Sequence, residues 1–141
     1  MRTFRLLSTL LAVGVLSACA MGGSKAASYK GTLDGASEVP AKVTQGKGEA
    51  TATLDPATKV LTYHVTYTGL SGPATAGHFH GPAAAGANAG VVIPFKTTAS
   101  PIDGTVTLTD AQIADLTGGK WYANIHTAAN PAGEIRGQMV P

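Results

Sequence analysis

From Val60 to Tyr67 the chain alternates strictly: Leu61, Tyr63, Val65 and Tyr67 are apolar or aromatic, and Thr62, His64 and Thr66 between them are polar. A period of two marks a strand with one face in a core and the other in water. The same reading assigns strands to residues 29–33, 48–54, 60–67, 75–80, 91–95, 104–108, 121–127 and 134–139, with turn residues between nearly all of them. Asp55-Pro56-Ala57-Thr58 closes a hairpin between the second and third, Pro56 presetting φ at the second turn position, and Asn130-Pro131-Ala132-Gly133 closes another between the last two. One helical signal stands out, residues 109–116, where Thr109 and Gln112 fit a capping box and Gly118-Gly119 supplies the stop. About eight short strands and one short helix predict an all-β fold, a Greek-key β-sandwich or flattened barrel.

The N-terminus follows a different pattern. Arg2 and Arg5 precede an apolar run at residues 6–16, far short of the ~20 residues needed to span a bilayer, and small residues follow it, as in an export signal. The run ends in Leu16-Ser17-Ala18-Cys19, which resembles the bacterial lipobox, and the only cysteine of the chain stands at the position that motif lipidates. Residues 1–18 then form a lipoprotein signal peptide, 19–28 the lipidated Cys19 and a tether, and 29–141 one domain. The other reading is an ordinary cleaved signal with an incidental cysteine. Ala20 follows Cys19 where an inner-membrane retention signal would carry Asp, so the Gram-negative pattern implies an outer-membrane anchor facing the periplasm.

Removing that segment changes the charge balance. The full chain has 10 basic and 8 acidic residues and a formal charge of +2; without Arg2 and Arg5 there are eight of each. No basic excess is left to hold nucleic acid or an anionic surface. The 141 residues less the 18 of the signal leave 123, enough for a single domain. With no second cysteine the exported domain folds without an internal disulfide and relies on core packing, with or without a metal.

The chemistry of the domain concentrates in histidine. His78 and His80 flank Phe79, so a strand points both imidazoles to one face and the phenyl ring to the other. His126, on the segment Trp121-Tyr122-Ala123-Asn124-Ile125-His126-Thr127, is the candidate third ligand; three imidazoles are a familiar set for copper or zinc where no thiolate is present. The alternative for His78 and His80 is a polar rim whose rings hydrogen-bond loop carbonyls, and for His126 a cap on the following loop. His64 lies with Thr62 and Thr66 on a solvated face and is left outside the site. Arg136 and Glu38 are candidates for the surroundings of the ion, or else a buried pair tying the N-terminal loop to the last strand. The Gly- and Ala-rich residues 81–90 lack the Lys-Ser or Lys-Thr of a phosphate loop and read as a flexible loop beside the histidine pair that gates or shapes the site. Tyr63, Tyr67 and Trp121 read as packing residues, with an exposed Trp121 as the sign of a carbohydrate platform.

Four ordered motifs carry a family resemblance: Leu33-Asp34-Gly35-Ala36-Ser37-Glu38-Val39-Pro40, Ala76-Gly77-His78-Phe79-His80-Gly81-Pro82, the segment from Trp121 to Thr127, and Pro131-Ala132-Gly133-Glu134-Ile135-Arg136-Gly137-Gln138. Together they resemble the CHRD domain, a family named from chordin, over residues 29–139. The resemblance implies a β-sandwich module of a kind found in exported bacterial proteins and in an animal growth-factor antagonist, without an activity attached to membership. A looser likeness joins the His-x-His strand, the later single His and the Gly-x-x-Arg turn to copper-zinc superoxide dismutases. The chain departs from that pattern in having no cysteine pair and no His and Asp cluster for a neighbouring zinc.

Three functions follow as expectations. The first is an envelope-anchored protein that binds copper, with zinc as second choice, through His78, His80 and His126. The second is a metal-free module that binds a protein or matrix partner through its loops, and the third is a copper-dependent dismutase-like enzyme. Binding without catalysis is favoured over an enzyme.

Overall fold

The computed structural model describes residues 25–141, so the export segment and Cys19 lie outside the described residues. Eight strands, β1 (Ala27–Asp34), β2 (Lys47–Asp55), β3 (Val60–Thr68), β4 (Ala74–His80), β5 (Val91–Pro94), β6 (Ile102–Thr107), β7 (Trp121–Thr127) and β8 (Ile135–Met139), join in one sheet, with helix α1 (Asp110–Thr117) between β6 and β7. The spatial order is β5-β4-β7-β8-β1-β2-β3-β6, and every neighbouring pair is antiparallel. β1 begins at Ala27, inside the expected tether, because its pairing with β2 runs back to Leu54. β6 begins at Ile102, earlier than expected, since Ile102 is fully buried opposite Val65.

Alternation in the sequence becomes the curl of the sheet. Tyr29 and Leu33 of β1, Ala50, Ala52 and Leu54 of β2, and Leu61, Tyr63 and Val65 of β3 all face one interior. Across that interior Tyr63 stacks on Phe95 at 5.2 Å and meets Phe79 of β4 edge-on at 5.4 Å, although β3 and β4 lie near opposite ends of the sheet. The sheet therefore bends into a half barrel whose two halves share one core. The capping box forms as expected, with the Gln112 N–H donating to Thr109 Oγ1 at 3.3 Å and the Thr109 N–H to Gln112 Oε1 at 2.9 Å, and Leu116 plugs α1 onto the core. Trp121 is 1% exposed against Phe79, a packing residue and not a carbohydrate platform.

β7 departs furthest from half-burial, with β8 next. All seven residues of β7 are buried, Trp121, Ala123 and Ile125 toward the core and Tyr122, Asn124 and His126 on the outer face. Loops cover that outer face, chiefly residues 35–46 and 81–90. Asn88 Nδ2 donates to Val39 O at 3.1 Å and joins the two loops to each other, while Gln138 Nε2 of β8 donates to Ala83 O at 2.9 Å.

A buried carboxylate fastens the end of this cover. Glu134 accepts from Thr44 Oγ1 (2.6 Å), Ser71 N (2.8 Å), Ser71 Oγ (2.5 Å), Thr127 Oγ1 (2.6 Å) and Asn130 Nδ2 (3.2 Å), which draws two loops, β7 and the final turn to one point. Burial alone would raise its pKa, but the Ser71, Thr127 and Thr44 donors outweigh burial and bring it down to about 2. Because the folded value lies below the ordinary 4.5, the carboxylate stabilises the fold fully above pH 4.5 and loses that effect as pH falls toward 2. Glu134→Gln is expected to cost roughly 3 kcal/mol at neutral pH and to flatten the loss of stability between those limits. Urea unfolding midpoints measured across that pH range check this; an unchanged acid slope would remove Glu134 from the role.

Candidate metal centre

His78 and His80 stand two apart on β4 and project outward, while Phe79 between them points into the core at 1% exposure. In the pairing of β4 with β7, Ala76 lies opposite His126, His78 opposite Asn124 and His80 opposite Tyr122. His126 is thus one diagonal step from His78 on the same face. The three rings converge, with one ring nitrogen from each lying within 4.8 Å of the other two, and His78 Nδ1 is 3.0 Å from His126 Nε2. Metal–nitrogen bonds of ~2.0–2.1 Å in a tetrahedral site place ligand nitrogens about 3.3 Å apart, so small ring rotations would close the set.

The backs of two rings are held by backbone. His80 Nδ1 is 3.0 Å from Ala89 O, and His126 Nδ1 is 2.9 Å from Pro131 O. A carbonyl only accepts, so hydrogen-bond chemistry assigns the proton to Nδ1 in both rings and leaves each Nε2 as an acceptor, that of His126 taking the His78 Nδ1–H at 3.0 Å. His126 Nε2 faces His78, and His80 Nε2 is buried with no hydrogen-bond partner. The loop-carbonyl bond expected as the alternative to metal binding is present for His80 and absent for His78, and His126 bonds the following loop as its alternative had it; in His80 and His126 the bond uses only one nitrogen and turns the other inward. Metal-binding histidines commonly carry such a carbonyl behind them.

Burial favours the neutral form of His78 and His80. Burial, reinforced by the neighbouring His126 and His80, lowers the pKa of His78 to about 4. His80 is also lowered, first by burial and then by His126 and Arg136, against an opposing pull from the Ala89 carbonyl and Asn124. A neutral imidazole is the form that binds a metal.

Around the histidines Asn124 pairs with Arg136, so β7 and β8 present these residues on one face. Arg136 is 2% exposed; Nη1 donates to Asn88 Oδ1 at 2.9 Å, Nη2 donates to Ala87 O, and its guanidinium carbon sits 3.4 Å from the Tyr122 ring centroid. Tyr122 in turn stacks on His80 at 4.8 Å with the planes 1° apart. Arg136 thus acts through Tyr122 and the 81–90 loop, its buried guanidinium held by Ala87 and Asn88 of that exposed loop. That loop is tied down at several points, since Tyr122 Oη donates to Ala89 O at 3.3 Å and accepts from Ala89 N at 3.1 Å. Glu38 is 7% exposed and lies beside Asn124 and Gly133; burial raises its pKa, opposed by the charge of Arg136 and by the Asn124 amide. His64 stands apart on β3, exposed and 2.6 Å from Asp103. Chain order alone does not reveal the Ala89 and Pro131 carbonyls as anchors, because any residue offers one.

In metal-free protein His78 is expected to titrate near pH 4, followed through its imidazole nitrogen shifts. The depressed folded pKa means that neutral His78 favours the fold most above pH 6.5 and that this contribution disappears as pH falls through 4. A titration at the ordinary 6.5 would place the ring in open water and dissolve the cluster.

Neither a curated protein nor a solved structure matches the chain. A family model does: that of the CHRD domain, over residues 29–139. This span runs from the third residue of β1 to the end of β8 and contains all three histidines together with Glu38, Asn124 and Arg136. The chain belongs to the CHRD domain family.

Proposed function

We propose that this CHRD-domain protein is a metal-binding protein of the bacterial envelope, anchored through a lipid on Cys19 and holding one copper ion, with zinc as the second choice, on His78, His80 and His126. The observation that carries the reading is the inward convergence of three imidazoles, two of them with Nδ1 bonded to a backbone carbonyl. An all-nitrogen set favours Cu(II) and Zn(II) over Cu(I), and Cu(II) stands above Zn(II) in intrinsic affinity for such ligands. The anchor rests on the lipobox-like Leu16-Ser17-Ala18-Cys19 and on the export pattern before it. The burial of Arg136 and its bonds to Asn88 and Ala87 weigh against an anion-guiding role of the dismutase kind, so binding is preferred to catalysis.

Titration of the purified protein with Cu(II), Cu(I) and Zn(II) is expected to show one tight Cu(II) equivalent, lost when His78 and His80 are both replaced by Ala. At free copper 100 times the dissociation constant, binding stabilises the fold by about 2.7 kcal/mol, visible as a rise in Tm that the double variant lacks. Binding indifferent to these histidines would overturn the metal reading. For the anchor, Cys19→Ser is expected to move the protein from the membrane to the soluble fraction of the host and to abolish labelling by a fatty-acid probe; unchanged membrane association would overturn that part.

A further inference from the structure

Among the described residues, four buried side-chain atoms have no hydrogen-bond partner: Glu38 Oε1, His80 Nε2, Asn124 Oδ1 and Gln138 Oε1. The first three belong to one neighbourhood. All three are acceptors, His80 Nε2 because its ring proton is on Nδ1 against Ala89 O. A folded protein rarely leaves such atoms unmatched; the Asn124 amide nitrogen stands beside Glu38, and the two acceptors that remain, His80 Nε2 and Asn124 Oδ1, suit a cation.

Asn124 links the other two. It is 2% exposed, lies directly opposite His78 in the β4–β7 pairing and is two residues from His126, so its side chain emerges among the three imidazoles. The two ends of its amide are distinguished by Gly133, at φ 132°, where an added Cβ would collide with Glu38 Oε1 and lie 2.7 Å from Asn124 Nδ2. The nitrogen end therefore faces the carboxylate across the gap that glycine leaves, and the oxygen end is free for another partner.

We propose that Asn124 Oδ1 is the fourth ligand of the ion held by His78, His80 and His126, and that Glu38 aims it by engaging Asn124 Nδ2. This rests on the metal-binding reading above and deepens it. The resulting set of three nitrogens and one oxygen gives the ion four protein ligands, for Zn(II) the closed tetrahedral shell of a structural site and for Cu(II) the equatorial positions of a tetragonal one. A carboxylate behind the amide has the orienting part that a carboxylate plays behind a metal-bound histidine.

The test compares full-length wild-type protein with Asn124→Ala and with the exchanged pair Glu38→Gln/Asn124→Asp, using Cu(II), Zn(II) and Cu(I) alone as probes. Asn124→Ala is expected to weaken Cu(II) and Zn(II) binding 10- to 100-fold. It is expected to leave Cu(I), an ion stable with three ligands, within a factor of a few, and to change the copper hyperfine splitting in the EPR spectrum. The exchanged pair keeps an oxygen donor toward the ion and an amide–carboxylate contact behind it, and is expected to bind Cu(II) at least as tightly as wild type, which separates ligation from any folding defect of the alanine variant. Equal Cu(II) affinity and identical EPR spectra in wild type and Asn124→Ala, with binding still lost on removal of His78 and His80, would overturn the fourth ligand while leaving the three-histidine site standing. Failure of wild type to bind any of the three ions would overturn both.

Discussion

A strand buried on both faces whose outer side is polar sets the terms for the rest of this molecule. The inner side of β7 is ordinary, with Trp121, Ala123 and Ile125 in the core. On the outer side Tyr122, Asn124 and His126 are withdrawn from water, and each needs a partner or leaves a penalty of a few kcal/mol. Loops cannot simply lie over such a surface; they must bring matching polar groups with them.

The cover does this with backbone and a few buried charges. Carbonyls of Ala89 and Pro131 meet His80 and His126, and Asn88 and Ala87 receive the guanidinium of Arg136. Glu134 collects donors from Thr44, Ser71, Thr127 and Asn130. Once those bonds are made, moving the loops apart would expose unpaired groups. The same bonds use up the groups that face outward and leave the lone pairs that face the middle of the histidine cluster.

That division is what makes the histidine cluster chemically directed. Burial, reinforced by the neighbouring imidazoles, lowers the pKa of His78 and His80, and neutral rings favour a metal cation over separate protons. The stack of Arg136, Tyr122 and His80 fixes one ring plane, and the β4–β7 register fixes the spacing of the others. The guanidinium of Arg136 also opposes the upward pull of burial on the pKa of Glu38 nearby.

Much of the fold was legible in residue order because it is local physics. Alternation of apolar and polar residues marked the strands, Pro and Gly marked the hairpins, and Thr109 with Gln112 marked the start of the helix, each depending only on neighbours in the chain. The His78 and His80 pair was legible for the same reason, since a strand sends alternate side chains to one face. Single features far apart in the chain were not. Whether His126 meets His78, whether Arg136 faces the cluster or a partner elsewhere, and which carbonyls stand behind the rings depend on strand register and loop path, and a shift of one residue in either pairing would send those side chains to the other face. Sequence by itself determined the elements, the shared face of the histidine pair and the family motifs. Only the tertiary structure decided which faces coincide and which lone pairs remain unused, because those are set by contacts between segments that are distant in the chain.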